Sequence, residues 1–303
     1  MNLSTFDLFR TIDSNAAGLI TLNQEQLDSL HLVLLSIADD IMDVCKKNEL
    51  TCYVSGGTAL GAYREGKFIP WDDDLDLMMF REDYNKFIPL FQKEYGDKYW
   101  IHTPEKTDNY GFQIPHIRKK GTKVKTKSDL FDDSEAGANV DIFLIENTPD
   151  NRVLRLLHGS LCMFMGLMVS CRRFYRDRKA LLKLVKNNPE QMKVFKTKIF
   201  LGRLSAVLSL NAWTRLANHI CSLCKNTSSQ YVSIPGGRKH YFGETYKRNI
   251  FMKDRMCTFE GRTWLIPSRV EDYFTILYGN DFREIPPPEK REKHICWEFD
   301  LGE

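Results

Sequence analysis

The segment that most constrains this chain is a run of four carboxylates at the edge of an apolar stretch. Residues 69–80 read IPWDDDLDLMMF, so Asp72, Asp73, Asp74 and Asp76 lead directly into Leu-Met-Met-Phe. Like charges this close repel one another, and burying them without a partner costs several kcal/mol each. We therefore expect a positively charged group to be held among these side chains.

The length and composition are those of a folded protein with one large domain or two modest ones. The 303 residues are 43% hydrophobic and 27% charged, which is ordinary for a globular chain. Eight cysteines are scattered beside apolar residues, which indicates reduced thiols rather than a disulfide scaffold. The N-terminus lacks the pattern of a secretory signal, and no uninterrupted apolar stretch reaches the roughly 18–20 residues of a transmembrane helix. We expect a cytoplasmic protein.

Positive charge is concentrated in one region. Residues 152–203 hold thirteen Lys and Arg against two acids, a net charge of +11, whereas the whole chain carries +3. The mostly apolar residues 156–171 within it suit either a buried helix or a helix lying in a membrane interface. The second interpretation predicts peripheral membrane contact through residues 156–186, on the inner membrane face. An anionic polymer is another partner for this charge, but no nucleic-acid-binding motif accompanies it, so we do not expect nucleic acid.

Apolar periodicity predicts an α/β chain of the α+β type with an inserted helical part. Residues 23–48 have the spacing of an amphipathic helix, with Asn23 and Gln26 forming a capping box. Strands are expected at 50–54, 99–102, 111–118, 122–126 and 139–145, and helices at 58–64, 81–95, 151–226 with a break at 187–189, and 268–277. We divide the chain into a lead-in (1–23), a catalytic core (24–147), a basic helical insert (148–228) and a C-terminal part that packs on the core (229–303).

A glycine pair stands where the first core strand meets a helix. Gly56, Gly57 and Thr58 occupy this start, where backbone N–H groups and the helix dipole can bind phosphate. Glycine is useful there because a side chain would keep phosphate from approaching the backbone.

The acidic run suits a divalent cation. In an extended segment Asp72, Asp74 and Asp76 share one face, while Asp73 points to the other. Carboxylate oxygens bind Mg²⁺ or Mn²⁺, which bridges carboxylate and phosphate. Asp141 lies in a later apolar strand and completes a three-carboxylate site if the two strands are neighbours. Such a site supports transfer at phosphorus, with one carboxylate taking the proton of an attacking hydroxyl.

Each motif alone has a simpler interpretation. A double glycine is usually a turn, consecutive acids usually form a solvated loop, and Asp141 can be a helix cap or a paired core acid. Their combination in this order is typical of the polymerase β–like nucleotidyltransferase fold, which we predict for the core, with a mixed sheet. His219, Cys221 and Cys224 resemble half of a zinc site, and the sequence leaves open whether they bind metal.

The sequence resembles the LicD family over much of its length. GGTALGAYREGKFIPWDDDLDLMM (56–79) is similar to the family signature, and ANVDIFLIE (138–146) is similar to its Val-Asp-Ile-Phe strand. Residues 259–294 look like its C-terminal end. The resemblance covers roughly 24–147 and 229–294 and leaves the basic helical insert without a matching motif.

The resemblance implies a metal-dependent transferase. It implies transfer of phosphocholine, or a related phospho-alcohol, from a CDP-linked donor such as CDP-choline, with release of CMP. The acceptor is a hydroxyl of a cell-surface glycan or lipid-linked glycan, such as lipopolysaccharide, teichoic acid or capsule. Asp74 and Asp76 are then metal ligands and catalytic residues, and Asp72 is a further ligand or a supporting acid. Asp141 is the catalytic base or the remaining ligand.

The predicted phosphate-binding residues belong to three segments: the glycine motif, the stretch between that motif and the acidic run, and the end of a later strand. They are Gly56, Gly57, Thr58, Arg64, Lys67 and Arg118, with Arg offering a bidentate fork to the diphosphate. Two alternatives remain open from the sequence. One is a nucleotidyltransferase that uses an NTP and releases pyrophosphate, and the other is a non-catalytic binding protein of the same fold.

Overall fold

A computed structural model describes residues 19–126, 129, 135–287, 291 and 295–302. Most of the predicted lead-in lies outside these residues. The helices are α1 (Gln24–Lys47), α2 (Gly56–Arg64), α3 (Arg81–Tyr95), α4 (Arg152–Arg176), α5 (Arg178–Leu184), α6 (Pro189–Leu204), α7 (Leu210–Cys221), α8 (His240–Gly243) and α9 (Val270–Tyr278). The strands are β1 (Ile20–Thr21), β2 (Tyr53–Val54), β3 (Asp76–Phe80), β4 (Tyr99–His102), β5 (His116–Lys119), β6 (Lys123–Thr126), β7 (Asn139–Asn147), β8 (Tyr231–Ser233), β9 (Thr245–Lys247), β10 (Met256–Phe259), β11 (Arg262–Leu265) and β12 (Ile295–Asp300).

Most strands form one mixed sheet, which confirms the predicted α+β class. Its order is β10-β11-β2-β3-β7-β5-β4, with β8 pairing β7 and β9 pairing β8. The pairs β11–β2 and β3–β7 are parallel, and the other neighbours are antiparallel. A second sheet has the antiparallel order β1-β12-β6.

The centre of the large sheet places two of the predicted acids side by side. The apolar residues of β3 and β7 are buried, as expected for central parallel strands. Their register pairs Asp76 with Asp141 and Leu77 with Ile142. The prediction that these two strands are neighbours is confirmed.

Helices α1 and α3 contact each other, and both contact β7. The predicted capping box of α1 is present, because Asn23 and Gln26 each accept a hydrogen bond from the other's backbone N–H. One face of α1 is buried against the core through Leu30, Leu34 and Ile41. Local sequence and packing therefore agree along this helix.

One strand and one helix begin at residues other than those predicted, and the backbone conformation explains both differences. The strand predicted for 111–118 begins only at His116, because Gly111 has a left-handed φ of +71° and Pro115 lacks an N–H for the ladder. The helix predicted from Thr58 begins earlier, at Gly56, because Ser55 is the extended residue that precedes it.

The predicted helical character of the basic insert is confirmed from Arg152 to Cys221. The break falls where expected, and Pro189 becomes the first residue of α6, a position that needs no N–H. These helices have small apolar clusters of their own, one around Phe174 and Phe195 and another around Val169 and Trp213. The domain boundaries at 147/148 and 228/229 stay predictions.

Helix α4 extends well beyond the apolar residues 156–171. It is the one helix among the described residues that is long enough and apolar enough to cross a membrane, judged by length and composition alone. The most apolar 18-residue segment of α4 has a mean hydropathy of 1.6, and 28% of that segment is buried inside the protein. All eight cysteines of the chain are free thiols.

Candidate active site

Carboxylates converge near the starts of β3 and β7. Asp76 lies beside Asp141 in the strand register, and side-chain oxygens of Asp72, Asp73 and Asp74 all lie within 4.8 Å of one another. The prediction that Asp73 points away from the others is wrong. The paired strand begins only at Asp76, and upstream of it the Asp72 N–H donates to the Ile69 carbonyl at 2.9 Å and closes a turn over residues 69–72.

The two strand acids have strongly raised pKa values. Burial raises the pKa of Asp76 well above its usual range, and the charges of Asp74 and Asp141 raise it further. Burial and the charge of Asp74 raise the pKa of Asp141 to about 7, although Arg118 and a hydrogen bond from Asn139 act in the opposite direction. Burial is the largest cause for both side chains and neighbouring negative charge adds to it, so a nearby cation would lower both pKa values.

The donor set of this cluster fits a hard divalent ion. It offers carboxylate oxygens from two directions, the loop before β3 and the paired strands, and such oxygens are the ligands of Mg²⁺ and Mn²⁺. Asp72, Asp73 and Asp74 have carboxylate oxygens close enough to share one ion, and Asp76 and Asp141, which we predicted as ligands, lie side by side on the adjoining strands. We call these five side chains the acid cluster.

The glycine pair lies directly against the acid cluster. A Cβ at Gly56 would lie 2.5 Å from Oδ2 of Asp76, and a Cβ at Gly57 would lie 2.4 Å from Oδ2 of Asp72. Gly56 also has a left-handed φ of +51°. Both glycines are therefore required for the carboxylates to approach the N-terminus of α2.

Two hydroxyl groups fix the strand–helix junction. Thr58 Oγ1 accepts the backbone N–H of Asp76 at 2.9 Å, so this hydroxyl holds β3 against α2, and its predicted contact with phosphate stays a prediction. The Tyr273 hydroxyl accepts the Gly56 N–H at 3.1 Å and lies 3.2 Å from Oγ of Ser55. Tyr273 comes from α9, which explains why the C-terminal part packs on the core.

Of the three cationic side chains predicted to bind phosphate, Arg118 is held in a buried ion pair, and the roles of Arg64 and Lys67 stay predictions. Arg64 ends α2 and Lys67 lies beyond it, and nine helical residues place Arg64 roughly 12 Å along the axis from Gly56. Arg118 is buried in β5, where its guanidinium donates to Oδ1 of Asp129 at 2.6 Å. This ion pair already satisfies the charge that we expected to meet phosphate.

A histidine that we did not predict contacts Asp141, and an arginine of the basic insert lies behind that histidine. His116 lies opposite Asp141 in the β5–β7 register, and its Nε2 is 3.5 Å from Oδ1 of the acid. Phe112 packs on His116 with ring centroids 5.0 Å apart. The guanidinium carbon of Arg173, from α4, lies 4.3 Å from the centre of the Phe112 ring. The basic insert therefore reaches the neighbourhood of the acid cluster.

The acidic loop is also held from α1. His31 Nε2 donates to the Asp72 carbonyl oxygen at 2.7 Å, and its ring stacks on Phe68 with centroids 3.9 Å apart. Its position on the buried face of α1, at the spacing of the core residues, gave no sign of this role.

The half zinc site is not assembled in the described part of the chain. Cys221 is buried against Cys162 and Tyr241, whereas Cys224 is only partly buried. Within the described ranges, the one group of three metal-ligating side chains brought close together is that of Asp72, Asp73 and Asp74.

The segment that contains the acid cluster matches a known protein family. Residues 49–155 match the family model described as LicD/FKTN/FKRP, nucleotidyltransferase domain. The chain is 25% identical over 284 residues to the lipopolysaccharide cholinephosphotransferase LicD of Haemophilus influenzae, which covers 91% of this chain and 96% of that protein.

Shorter similarities reach uncharacterized proteins of other organisms. One from Rickettsia prowazekii is 31% identical over 83 residues, covering 24% of this chain and 31% of that protein. One from Caenorhabditis elegans is 42% identical over 52 residues, covering 17% of this chain and 14% of that protein. Through the matched residues 49–155, which contain the acid cluster, the chain carries a LicD-family domain.

Proposed function

We propose that this protein is a metal-dependent transferase that moves phosphocholine, or a related phospho-alcohol, from a CDP-activated donor to a glycan hydroxyl and releases CMP. The observation that carries the proposal is the acid cluster, with Asp76 and Asp141 paired on β3 and β7 beside the N-terminus of α2. The similarity to a lipopolysaccharide cholinephosphotransferase over 91% of the chain supports the choice of transferred group and acceptor. We propose a nucleotidyltransferase-type core on the same grounds.

The reaction is a displacement at the phosphorus distal to cytidine. The acceptor oxygen forms a bond to that phosphorus, the bond to the bridging oxygen breaks, and CMP leaves with that oxygen. A divalent ion, when bound, neutralises charge on the phosphates and on the leaving oxygen. The chain's own residues hold the ion, orient the carboxylates and accept the proton of the hydroxyl.

Asp141 is the side chain that we assign to the proton. Asn139 Nδ2 donates to its Oδ1 at 2.6 Å, and His116 lies on the same oxygen. Because both contacts involve Oδ1, Oδ2 is the oxygen assigned to proton transfer from the attacking hydroxyl. Tyr273 and Thr58 contribute by fixing the backbone of Gly56 and Asp76.

Donor binding tests the proposal without knowledge of the acceptor. Thermal stability of the full chain would be measured with CDP-choline, CDP-ethanolamine, CDP-glycerol, CDP-ribitol, CTP and ATP, each with Mg²⁺ and with EDTA. A ligand that binds only the native state raises the midpoint by mass action. We expect a Mg²⁺-dependent shift with one CDP-alcohol, and CMP release with that compound.

Two variants make the test specific. Asp76→Asn is expected to abolish the Mg²⁺-dependent shift and CMP release while the protein stays folded, whereas Asp97→Asn, a change at an exposed acid, is expected to leave both unchanged. A shift with NTPs alone, accompanied by pyrophosphate release, would overturn the proposal in favour of a nucleotidyltransferase. No shift with any compound would overturn the assignment of the donor class.

A further inference from the structure

The outward side of α4 is apolar, which is the reverse of an ordinary surface helix. In its first half the residues buried against the protein are His158, Gly159 and Cys162. Seven large apolar side chains on the other side are more than one third exposed: Val153, Leu154, Leu156, Leu157, Leu161, Met163 and Phe164. A surface helix of a soluble protein normally buries its apolar stripe, so this one lacks its partner within the described chain.

The exposed side is wide and carries no charge. At 100° per residue the exposed positions between 153 and 164 span roughly half of the helix circumference. Ser160 is the one polar residue among them. The seven apolar side chains expose on the order of 600 Å², the upper end of the largest apolar patch on a typical soluble monomer.

Helix α6 covers the second half of this same side. Cys171 follows Val153 by 18 residues, which is about five turns, so the two residues share one side of α4. The backbone of α6 crosses there: Nη1 of Arg172 donates to the Gly202 carbonyl at 2.8 Å, and a Cβ at Gly202 would lie 2.1 Å from the Cys171 oxygen. The first half of the side stays open.

The outer face of α6 adds positive charge at the same side of the molecule. The buried residues of α6 are Gln191, Phe195, Lys198 and Gly202. The opposite face exposes basic and apolar residues together, namely Lys193, Lys196, Phe200, Arg203 and Leu204. Because α6 lies over the outer side of α4, this face points in the same direction as the open half of α4.

We propose that these two faces form one surface that binds the interface of an anionic lipid bilayer. The apolar side chains of α4 enter the boundary between headgroups and acyl chains, and the Lys and Arg of α6 meet the anionic headgroups. The net charge of +11 over residues 152–203 favours this partner over a neutral apolar one. The inference does not rest on the proposed transferase activity.

The helix lies on the bilayer rather than across it. His158 contacts the protein with both ring nitrogens: Nε2 donates to the Ile220 carbonyl at 2.8 Å, and Nδ1 lies 3.2 Å from the Tyr241 hydroxyl. Gly159 lies against the Tyr241 and Phe242 rings. A spanning α4 would lose these contacts, whereas an interfacial α4 keeps them and buries only its open side.

Vesicle binding tests the surface directly. The full chain would be sedimented with vesicles of phosphatidylcholine alone and of phosphatidylcholine with phosphatidylglycerol, at low and high salt. We expect binding to the anionic vesicles that weakens as salt rises, and little binding to the neutral ones. Failure of the wild-type protein to bind anionic vesicles at low salt would overturn the proposal.

Paired variants separate the apolar and the basic contributions. Leu157→Ser with Phe164→Ser is expected to weaken binding at least tenfold, while Leu32→Ser, at a residue of α1 that is 70% exposed, leaves it unchanged. Lys193→Ser with Lys196→Ser is expected to weaken binding by about thirtyfold at low salt. The exposed pair Lys86 and Lys93 of α3, changed to Ser, serves as the matched control for charge.

Two other results would overturn the proposal, one by showing a different partner and the other by showing a different placement of α4 in the bilayer. If the wild-type protein is a dimer in solution and Leu157→Ser with Phe164→Ser dissociates it, a second copy covers the face and the proposal is wrong. If membranes from expressing cells retain the protein through alkaline carbonate extraction, α4 spans the bilayer and the interfacial placement is wrong. Unchanged thermal midpoints of the variants would show that lost binding is not lost folding.

Discussion

Replacing Asp141 by Asn is expected to stabilise the protein when no metal is present. Burial and the charge of Asp74 raise the pKa of Asp141 to about 7 from the ordinary 3.8. A carboxyl group with a raised pKa binds its proton more tightly in the folded state, so its contribution to stability falls as pH rises from about 4 to 7. Above pH 7 the folded protein therefore carries the full cost of the ionised side chain.

The size of this cost follows from the shift. Three pKa units at about 1.4 kcal/mol each give an upper limit of about 4 kcal/mol. The Asp141 side chain is 23% exposed, and neighbouring acids adjust their own protonation, so we expect about 2 kcal/mol. Asn can still accept the hydrogen bond from Asn139 through its carbonyl oxygen.

Urea unfolding in EDTA at pH 8 and at pH 5 measures the effect. The Asp141→Asn variant is expected to exceed the wild-type free energy of unfolding by about 2 kcal/mol at pH 8 and by much less at pH 5. The exposed Asp97→Asn control is expected to stay within about 0.5 kcal/mol of wild type at both pH values.

Adding Mg²⁺ should reverse the order of stabilities. At a concentration one hundred times the dissociation constant the wild type gains about 2.7 kcal/mol by mass action, and a variant without one of the carboxylates gains much less. A variant that is less stable than wild type in EDTA at pH 8, or that gains as much from Mg²⁺, would refute the reasoning.

Three further changes address residues whose contacts or burial only the structure shows. Arg173→Gln is expected to raise KM for the CDP-alcohol about tenfold in steady-state kinetics, because the guanidinium near Phe112 is a candidate phosphate ligand. The control Arg203→Gln, on the outer face of α6, should leave this KM unchanged. Tyr273→Phe removes the hydroxyl that accepts the Gly56 N–H and is expected to lower the unfolding free energy by about 1–2 kcal/mol in urea. Burial raises the pKa of Glu244 to about 7, so the contribution of this side chain to wild-type stability falls as pH rises from about 4.5 to 7. In urea titrations, Glu244→Gln should flatten that pH dependence and raise the free energy of unfolding by about 1–2 kcal/mol at pH 8.

Features that depend on neighbouring residues could be predicted from the sequence. The capping box of α1, the break before Pro189 and the buried strands around Asp76 and Asp141 each follow from residues a few positions apart. The pairing of β3 with β7 could be expected because each is an apolar run that carries an acid near its start.

The directions of the side chains in the acidic run were harder to predict, because successive side chains are sure to alternate between two faces only within a paired strand. Asp76 is the first residue of β3, and the preceding residues turn at Ile69 and Asp72. Asp73 lies between this turn and the strand, where side chains need not alternate between two faces, so it can join the cluster instead of pointing away. The strand boundary, rather than the composition, decides which carboxylates meet.

Contacts between distant parts of the chain could not be predicted from one sequence. Tyr273 and Gly56 are 217 residues apart, and the ion pair of Arg118 with Asp129 depends on how β5 and the following loop pack. An arginine near a catalytic motif has the same sequence appearance whether it meets phosphate or a buried acid. Only the fold distinguishes the two cases, and here it assigns Arg118 to the buried pair.

The contacts around the acid cluster explain how the protein holds mutually repelling carboxylates in place. Thr58 and Tyr273 bond to the backbone of Asp76 and Gly56, and His31 bonds to the backbone of Asp72. These partners fix the chain without cancelling the charge of the strand acids, whose pKa values stay raised. Because these three bonds are made to the backbone, they do not compete with a cation for the carboxylate oxygens. The stability lost to this repulsion is the quantity that Asp141→Asn should recover in EDTA.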